Sequence, residues 1–287
     1  MKRLLSGLLF LGLSCAVFAA GPNVVRKRAE ASMLVTGSVV VAPDGKVSDY
    51  TIDQPDKLPP TVLALARKAV SGWSFTPVVV DGKARYAKGS MSLRFVTHRI
   101  DDAHYSVALS SAHFGGDYEP GTVVSYKDRS VMPGYPSDAV FARVTGTVYL
   151  VARIDRQGRV DAVDAEKVNL EEADSDAGME RWRKQLTQAS IKAVRRWTFN
   201  PPTIGPHAQE DHWIARFPIN FELSESGLPP QPKDSYGKWD VYIPGPVQSI
   251  PWLDDQHAAP DGVDAIPAGQ LASADSELHL LTPLGGA

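Results

Sequence analysis

Trp73-Ser74-Phe75-Thr76-Pro77 recurs further along the chain as Trp197-Thr198-Phe199-Asn200-Pro201, and this repeat decides the fold. With six Trp and nine Phe in the whole chain, a chance match in the same context is not expected. The context matches as well. Val62, Leu65, Ala69 and Trp73 stand at steps of three and four, and Leu186, Ala189, Ala193 and Trp197 repeat the pattern. Such spacing places each set on one stripe of an amphipathic helix that runs into its Trp. Upstream of each helix lies a hairpin. Val35, Gly37, Val39 and Val41 alternate, Pro43-Asp44-Gly45-Lys46 turns, and Val47 opens a return strand. In the second copy Val144 to Ile154 alternate, Asp155-Arg156-Gln157-Gly158 turns, and Val160 returns. Alternation with a Gly-containing turn is the signature of paired strands. The second helix is expected to be the longer one, with Ser175-Asp176 at its start and Met179 and Trp182 extending its stripe. Downstream, Met91, Leu93 and Phe95 alternate, as do Phe217, Ile219, Phe221 and Leu223. Each copy reads strand, strand, helix, strand. The fold class is α+β: two tandem small antiparallel-sheet-plus-helix domains, each helix covering one sheet face and leaving the other wet. Trp, Phe and Pro of the repeat are read as core, core and helix stop.

The chain has 287 residues, 43% of them apolar, and at roughly 150 residues per domain that is room for about two cores. A net charge of -3 excludes a strongly basic nucleic-acid binder. A single cysteine excludes a disulfide framework and a four-cysteine zinc site. Met1-Lys2-Arg3, an apolar run from Leu4 to Val17 and Val17-Phe18-Ala19 read as an export signal cleaved after residue 19. The run is short for a spanning helix. A lipoprotein anchored at Cys15 ranks lower, because Gly12 stands where such signals usually carry Leu. The expected organisation is then a first domain over 29–100, a linker over 101–130, a second domain over 131–224 and an acidic, Pro/Gly-rich tail over 225–287. From Ser224 onward nine Pro, seven Gly and nine acidic residues against two lysines predict extended, partly disordered chain. Tyr236, Trp239, Tyr242 and Trp252 are expected to dock on the second domain.

Enzymatic signatures are missing. There is no Gly-x-Ser-x-Gly elbow, no Walker loop and no Gly-x-Gly-x-x-Gly, so no catalytic residue and no cofactor is expected. His207 and His212 flank Glu210-Asp211, at a spacing that does not put two ligands on one helical face; a solvated loop is the better reading, and no metal is expected. Arg183-Lys184, Lys192 and Arg195-Arg196 give the second helix a basic outer face, on which the acidic tail could lie.

From Pro133-Gly134-Tyr135-Pro136, through Arg156-Gln157-Gly158-Arg159-Val160, to Ala193-Val194-Arg195-Arg196-Trp197-Thr198-Phe199-Asn200-Pro201 and Leu223, the second copy resembles the C-terminal domain of TonB, the energy transducer of the bacterial outer membrane. The first copy looks like a degenerate member without the Tyr-Pro lead-in. The resemblance implies a periplasmic domain that binds outer-membrane receptors by pairing a sheet edge with a short peptide, a physically sensible mode because an unpaired edge offers backbone donors and acceptors. It points to Pro133, Tyr135 and Pro136 in the lead-in and to Ile219, Asn220 and Phe221 on the last strand. The corresponding strand of the first copy, near Arg94, is expected to keep the better edge, since Pro218 removes a donor from the second. The leading functional expectation is a periplasmic, non-enzymatic binding or adaptor protein that recognises peptides or proteins by strand addition. The alternative is a component of an energy-transducing system for receptor-dependent transport; its membrane anchor and long proline-rich arm are not evident before the first copy.

Overall fold

The computed structural model describes residues 21–80, 82–101, 104–116, 118–224, 235–253, 263–274 and 278–284. The export signal and Cys15 lie outside the described residues. After a short helix α1 (Pro22–Arg26), the first unit runs β1 (Glu30–Val41), β2 (Val47–Ile52), α2 (Pro60–Ser71), a small hairpin of β3 (Val79–Val80) and β4 (Lys83–Ala84), then β5 (Ala87–Arg99) and β6 (Tyr105–Gly116). The second runs β7 (Ser125–Asp128), α3 (Ser137–Phe141), β8 (Gly146–Asp155), β9 (Val160–Leu170), α4 (Asp176–Val194), β10 (Thr198–Asn200) and β11 (His212–Phe221). Two short strands follow, β12 (Asp240–Tyr242) and β13 (Ala272–Ser273). The molecule is α+β, with antiparallel sheets and few helices.

In both units the hairpin's first strand is central to its sheet. β1 pairs with β2 and β5, and β8 pairs with β9 and β11, all antiparallel. Alternation drives this: Val35, Val39, Met91, Leu93 and Phe95 point to one face and are buried with Val62, Ala66 and Trp73 around α2. Val148, Leu150, Phe217, Ile219 and Phe221 do the same with Met179, Trp182, Leu186 and Trp197 around α4. α4 has 19 residues against 12 in α2, and the Ser175 hydroxyl caps it by accepting from the Gly178 N–H. α2 instead begins with Pro60 in its first turn, where no intrahelical N–H is needed.

Two backbone bonds explain why the turn and the aromatic motif repeat together. The Phe75 N–H donates to Gly45 O at 2.7 Å, and the Phe199 N–H donates to Gly158 O at 2.8 Å. Both glycines have positive φ, +85° and +75°, and a Cβ on either would stand 2.3 or 2.0 Å from the carbonyl oxygen of that Phe. The hairpin turn is therefore pressed against the chain that leaves the helix, and only glycine fits.

The structure corrects four expectations. The stretch over 101–130 is more than a linker: β6 pairs with β5 from Gly89↔Gly116 to Arg99↔Tyr105. A register shift after Arg94 puts Val107 and Leu109 out of phase with Ala112 and Phe114, which breaks the period-two signal that reveals a strand. In consequence β5 is flanked by β1 and β6, with Arg94 opposite both Leu34 and Ser111, so Arg94 lies on no free edge. Thirdly, the sheet faces away from the helices are not wet. Tyr149, Val151 and Ile214 are buried there, and Arg216 is buried in a two-pronged ion pair with Glu166 (2.9 Å). Arg94 donates to the Ser32 hydroxyl on the corresponding side of the first sheet.

The fourth correction concerns the tail, whose described parts pair with both units. Tyr236 and Trp239 pack against the first core, not the second, and β12 extends the first sheet by pairing with β1. Ile243 then exchanges two backbone bonds with Leu170 of β9, the Gln248 N–H donates to Glu166 O, and the Trp252 indole donates to Asp164. Further on, Val263, Ala265 and Ile266 are buried, and Asp264 accepts from Ser111 of β6 and Lys167 of β9, each at 2.7 Å. One carboxylate thus ties the two sheets together. Arg183, expected on a solvated face, donates to Val168 O and Pro244 O and helps hold this segment.

Candidate peptide-binding edge

The outer side of β9 is occupied from Glu166 to Leu170, since Leu170, Val168 and Glu166 present their carbonyls outward and each has a donor from the tail or from Arg183. β11 is different. β13 pairs with it at Ala215↔Ser273 and Arg216↔Ala272, and the Ala274 N–H donates to Ile214 O. Residues 214 and 216 therefore face outward. Because β11 runs in unbroken register with β8 to Phe221, the alternation continues, and Pro218 and Asn220 face outward too. Pro218 thus sits where its missing N–H costs β8 nothing, while removing one donor from the exposed side. Beyond Arg216 no strand pairs with that side among the described residues.

Ile219 and Phe221 direct their side chains into the core, at 8% and 3% exposure, and by the same alternation their main chain faces β8, so the outward groups of this segment are those of Pro218 and Asn220. Asn220 is exposed and accepts from the Thr147 hydroxyl at 3.2 Å. The Tyr-Pro lead-in comes to the same end of β11: the Tyr135 ring meets Phe221 edge-on at 5.2 Å, and its hydroxyl donates to Val144 O at 2.6 Å. Pro136 precedes α3, and Pro133 is half-buried. Lead-in and strand end, widely separated in sequence, are brought together. Arg94 is not part of this cluster.

The electrostatics are acidic. Burial, then the charges of Glu172, Glu171 and Glu222, push the Tyr135 hydroxyl well above its ordinary range. Burial also raises the Glu171 carboxyl, an effect the Thr145 hydrogen bond opposes. Behind the lead-in, between Val131, Met132 and Pro136 on one wall and Gln188, Lys192 and Arg196 of α4 on the other, lies an open groove of about 420 Å³.

The His207–His212 loop is held structurally. His207 Nδ1 lies 2.6 Å from Glu210, its carbonyl accepts from the Trp213 indole, and Arg156 of the hairpin turn donates to the Gln209 and Glu210 carbonyls. Among the described residues no group of three His, Cys, Asp or Glu is placed to hold a metal ion.

Sequence reading missed the tail strands and the Asp264 link. Val241-Tyr242-Ile243, three β-formers between Asp240 and Pro244, is the local signal that could have located the first of them.

No family model matches the chain. Among curated proteins it is similar to the protein TonB of Xanthomonas campestris pv. campestris, 32% identical over 92 residues, which is 32% of this chain and 35% of that protein. It is also similar to the protein tonB2 of Pseudomonas aeruginosa, 34% identical over 92 residues, 32% of this chain and 29% of that protein. The chain thus spans about a third of the length of these relatives, and the matched length is that of one unit. No solved structure matches.

Proposed function

We propose that this chain works in the bacterial cell envelope as a TonB-like component of receptor-dependent transport across the outer membrane, its folded units in the periplasm. In this reading the second unit, and in degenerate form the first, is a TonB C-terminal-like module without catalytic activity. It grips an extended segment of a protein partner, an outer-membrane receptor in the first instance. The observation that carries the reading is the outward-facing main chain around Asn220, beside Tyr135, in a chain similar to TonB proteins over one unit's length. Main-chain pairing supplies the contact, with the lead-in residues Pro133, Tyr135 and Pro136 as its flank. Glu171, Glu172 and Glu222 favour a partner segment carrying a basic residue.

A second reading keeps the same edge but assigns no force transduction: an adaptor that holds peptides or proteins. The Asp264 link favours it, because two sheets tied through one buried carboxylate suit a fixed platform.

The test is Asn220→Pro in the full chain. Its N–H faces outward, so the β8 ladder survives, as it survives Pro218. Capture of outer-membrane receptors from envelope extract should fall at least tenfold while circular dichroism stays unchanged. Undiminished capture by a folded variant refutes pairing at this edge. Arg94→Pro, by contrast, breaks a central strand and is expected to unfold the first sheet.

A further inference from the structure

In both units the chain leaving the helix is bonded on one side to the hairpin turn and on the other to a donated strand. The donors differ. In the second unit β10 pairs with β7, the first strand of the same unit, and Tyr126 fills the space beside Trp197, Phe199 and Phe217 at 5.6–5.9 Å between ring centres. In the first unit the equivalent stretch Ser74–Thr76 is filled from more than two hundred residues away. The Thr76 N–H donates to His279 O at 2.9 Å, the Leu281 N–H donates to Ser74 O at 2.8 Å, and the Ser74 N–H donates to the Thr282 hydroxyl at 2.8 Å. Phe75 and Leu280 form an antiparallel bridge. Leu278, 5% exposed, is part of the core of Trp73, Phe75 and Phe114, and Leu280 and Leu284 pack against it.

We propose that the first unit carries a peptide-acceptor slot along Ser74–Thr76 that takes an extended segment with leucines at alternate positions. Residues 278–284 are its resident occupant, replaceable by the same segment supplied in trans. The chemistry of recognition is on the page. Leu278 and Leu280 face in while His279 and Leu281 face out, a period of two that matches an added strand. The backbone bonds are indifferent to sequence, so the inward leucines set specificity. The bonds that hold the segment come from residues 279–282, all within a free peptide of the same sequence, and the covalent link to the chain raises its effective concentration. The second unit shows that this position accepts a donor from a different part of the chain. Nothing in the slot depends on the β11 edge.

The probe is a fluorescent peptide of residues 278–284, titrated into the full chain and into a full-chain variant carrying Leu278→Asp and Leu280→Asp. The variant, its own segment expelled, should bind the peptide with a micromolar Kd. The wild-type chain should bind at least tenfold more weakly, and a peptide with the same two aspartates should not bind. A variant with a native dichroism spectrum that does not bind, or wild type that binds equally tightly, overturns the proposal. Hydrogen exchange on the wild-type chain decides the matter if the variant unfolds. Millimolar unlabelled peptide should deprotect the Leu281 amide, which leaves with the displaced segment, while the Thr76 amide stays protected by the incoming carbonyl. Both amides unchanged refutes exchange, and deprotection of both refutes occupancy of the slot by the peptide.

Discussion

Gly158→Ala measures how much stability rests on the contact between hairpin turn and aromatic motif. Two costs add. At φ +75° an alanine pays about 1 kcal/mol for left-handed backbone. The new methyl carbon also stands 2.0 Å from Phe199 O and 3.1 Å from its carbonyl carbon, so the β10 chain must retreat by more than an ångström. That retreat breaks the 2.8 Å bond from the Phe199 N–H to Gly158 O, which is the bond that forms the bridge between Arg159 and Thr198, at roughly 1 kcal/mol. It also loosens Phe199, which is 1% exposed beneath the sheet. The expected loss is about 2 kcal/mol, with Gly45→Ala similar in the first unit. Gly205→Ala is the control. Its φ is +86°, yet the nearest atom to its Cβ is 3.7 Å away, so it bears the backbone term alone, about 1 kcal/mol. Urea unfolding followed by tryptophan fluorescence gives each difference as a midpoint shift at constant slope. If Gly158→Ala costs no more than Gly205→Ala, the turn does not bear on β10 and the coupling argument fails.

Two further outcomes follow from buried charge. Asp264→Asn leaves Lys167 and Arg94 without their carboxylate in a largely buried layer, and about 3 kcal/mol of stability should be lost. Limited proteolysis should then cut the chain near Val263–Ile266 faster than in wild type, and equal cutting rates would show that this residue does not hold the tail. Burial pushes the His113 imidazole down to about 4 from 6.5. The unfolded chain takes the proton first as pH falls, so stability is lost between pH 6.5 and 4. The loss between pH 7 and 4.5 should be about 2 kcal/mol, absent from His113→Gln, with paired urea titrations as the measurement.

How much of this was legible follows from what each signal needs. The hairpins, helices and last strands announce themselves because local period and burial agree: Val148, Leu150 and Phe217 alternate on regular strands against one helix. β6 does not, because its bulge shifts the phase between Leu109 and Ala112. The buried outer faces were illegible for a different reason. Tyr149, Lys167, Arg216 and Ser111 carry polar groups, and a polar residue at alternate positions reads as solvent-facing. Here they are covered because each meets a partner: Glu166 for Arg216, and Asp264 for Lys167 and Ser111. Those partners lie 50, 97 and 153 residues away, beyond any window of periodicity. The candidate edge was half legible. The alternation of Phe217, Ile219 and Phe221 locates the last strand of the second unit, but whether a strand is an edge depends on what pairs beside it, and in the first unit β6 occupies the side that Arg94 would need free.

The same reasoning explains why a tail rich in proline and acid is ordered where it is described. Its described strands, β12 and β13, each form where a finished sheet offers unpaired backbone. Tyr242, Ile243 and Ala272 each settle on such an edge with an apolar side chain turned inward. Prolines stand between these contacts, at Pro244, Pro246, Pro251 and Pro267, where no sheet bond is required of them. Edge pairing by extended chain is thus already at work inside this molecule on both sheets. Among the described residues no such segment pairs with β11 from Pro218 to Phe221, nor with the outer sides of β2 and β6 in the first sheet; what β11 has besides is the Tyr135 lead-in at its end.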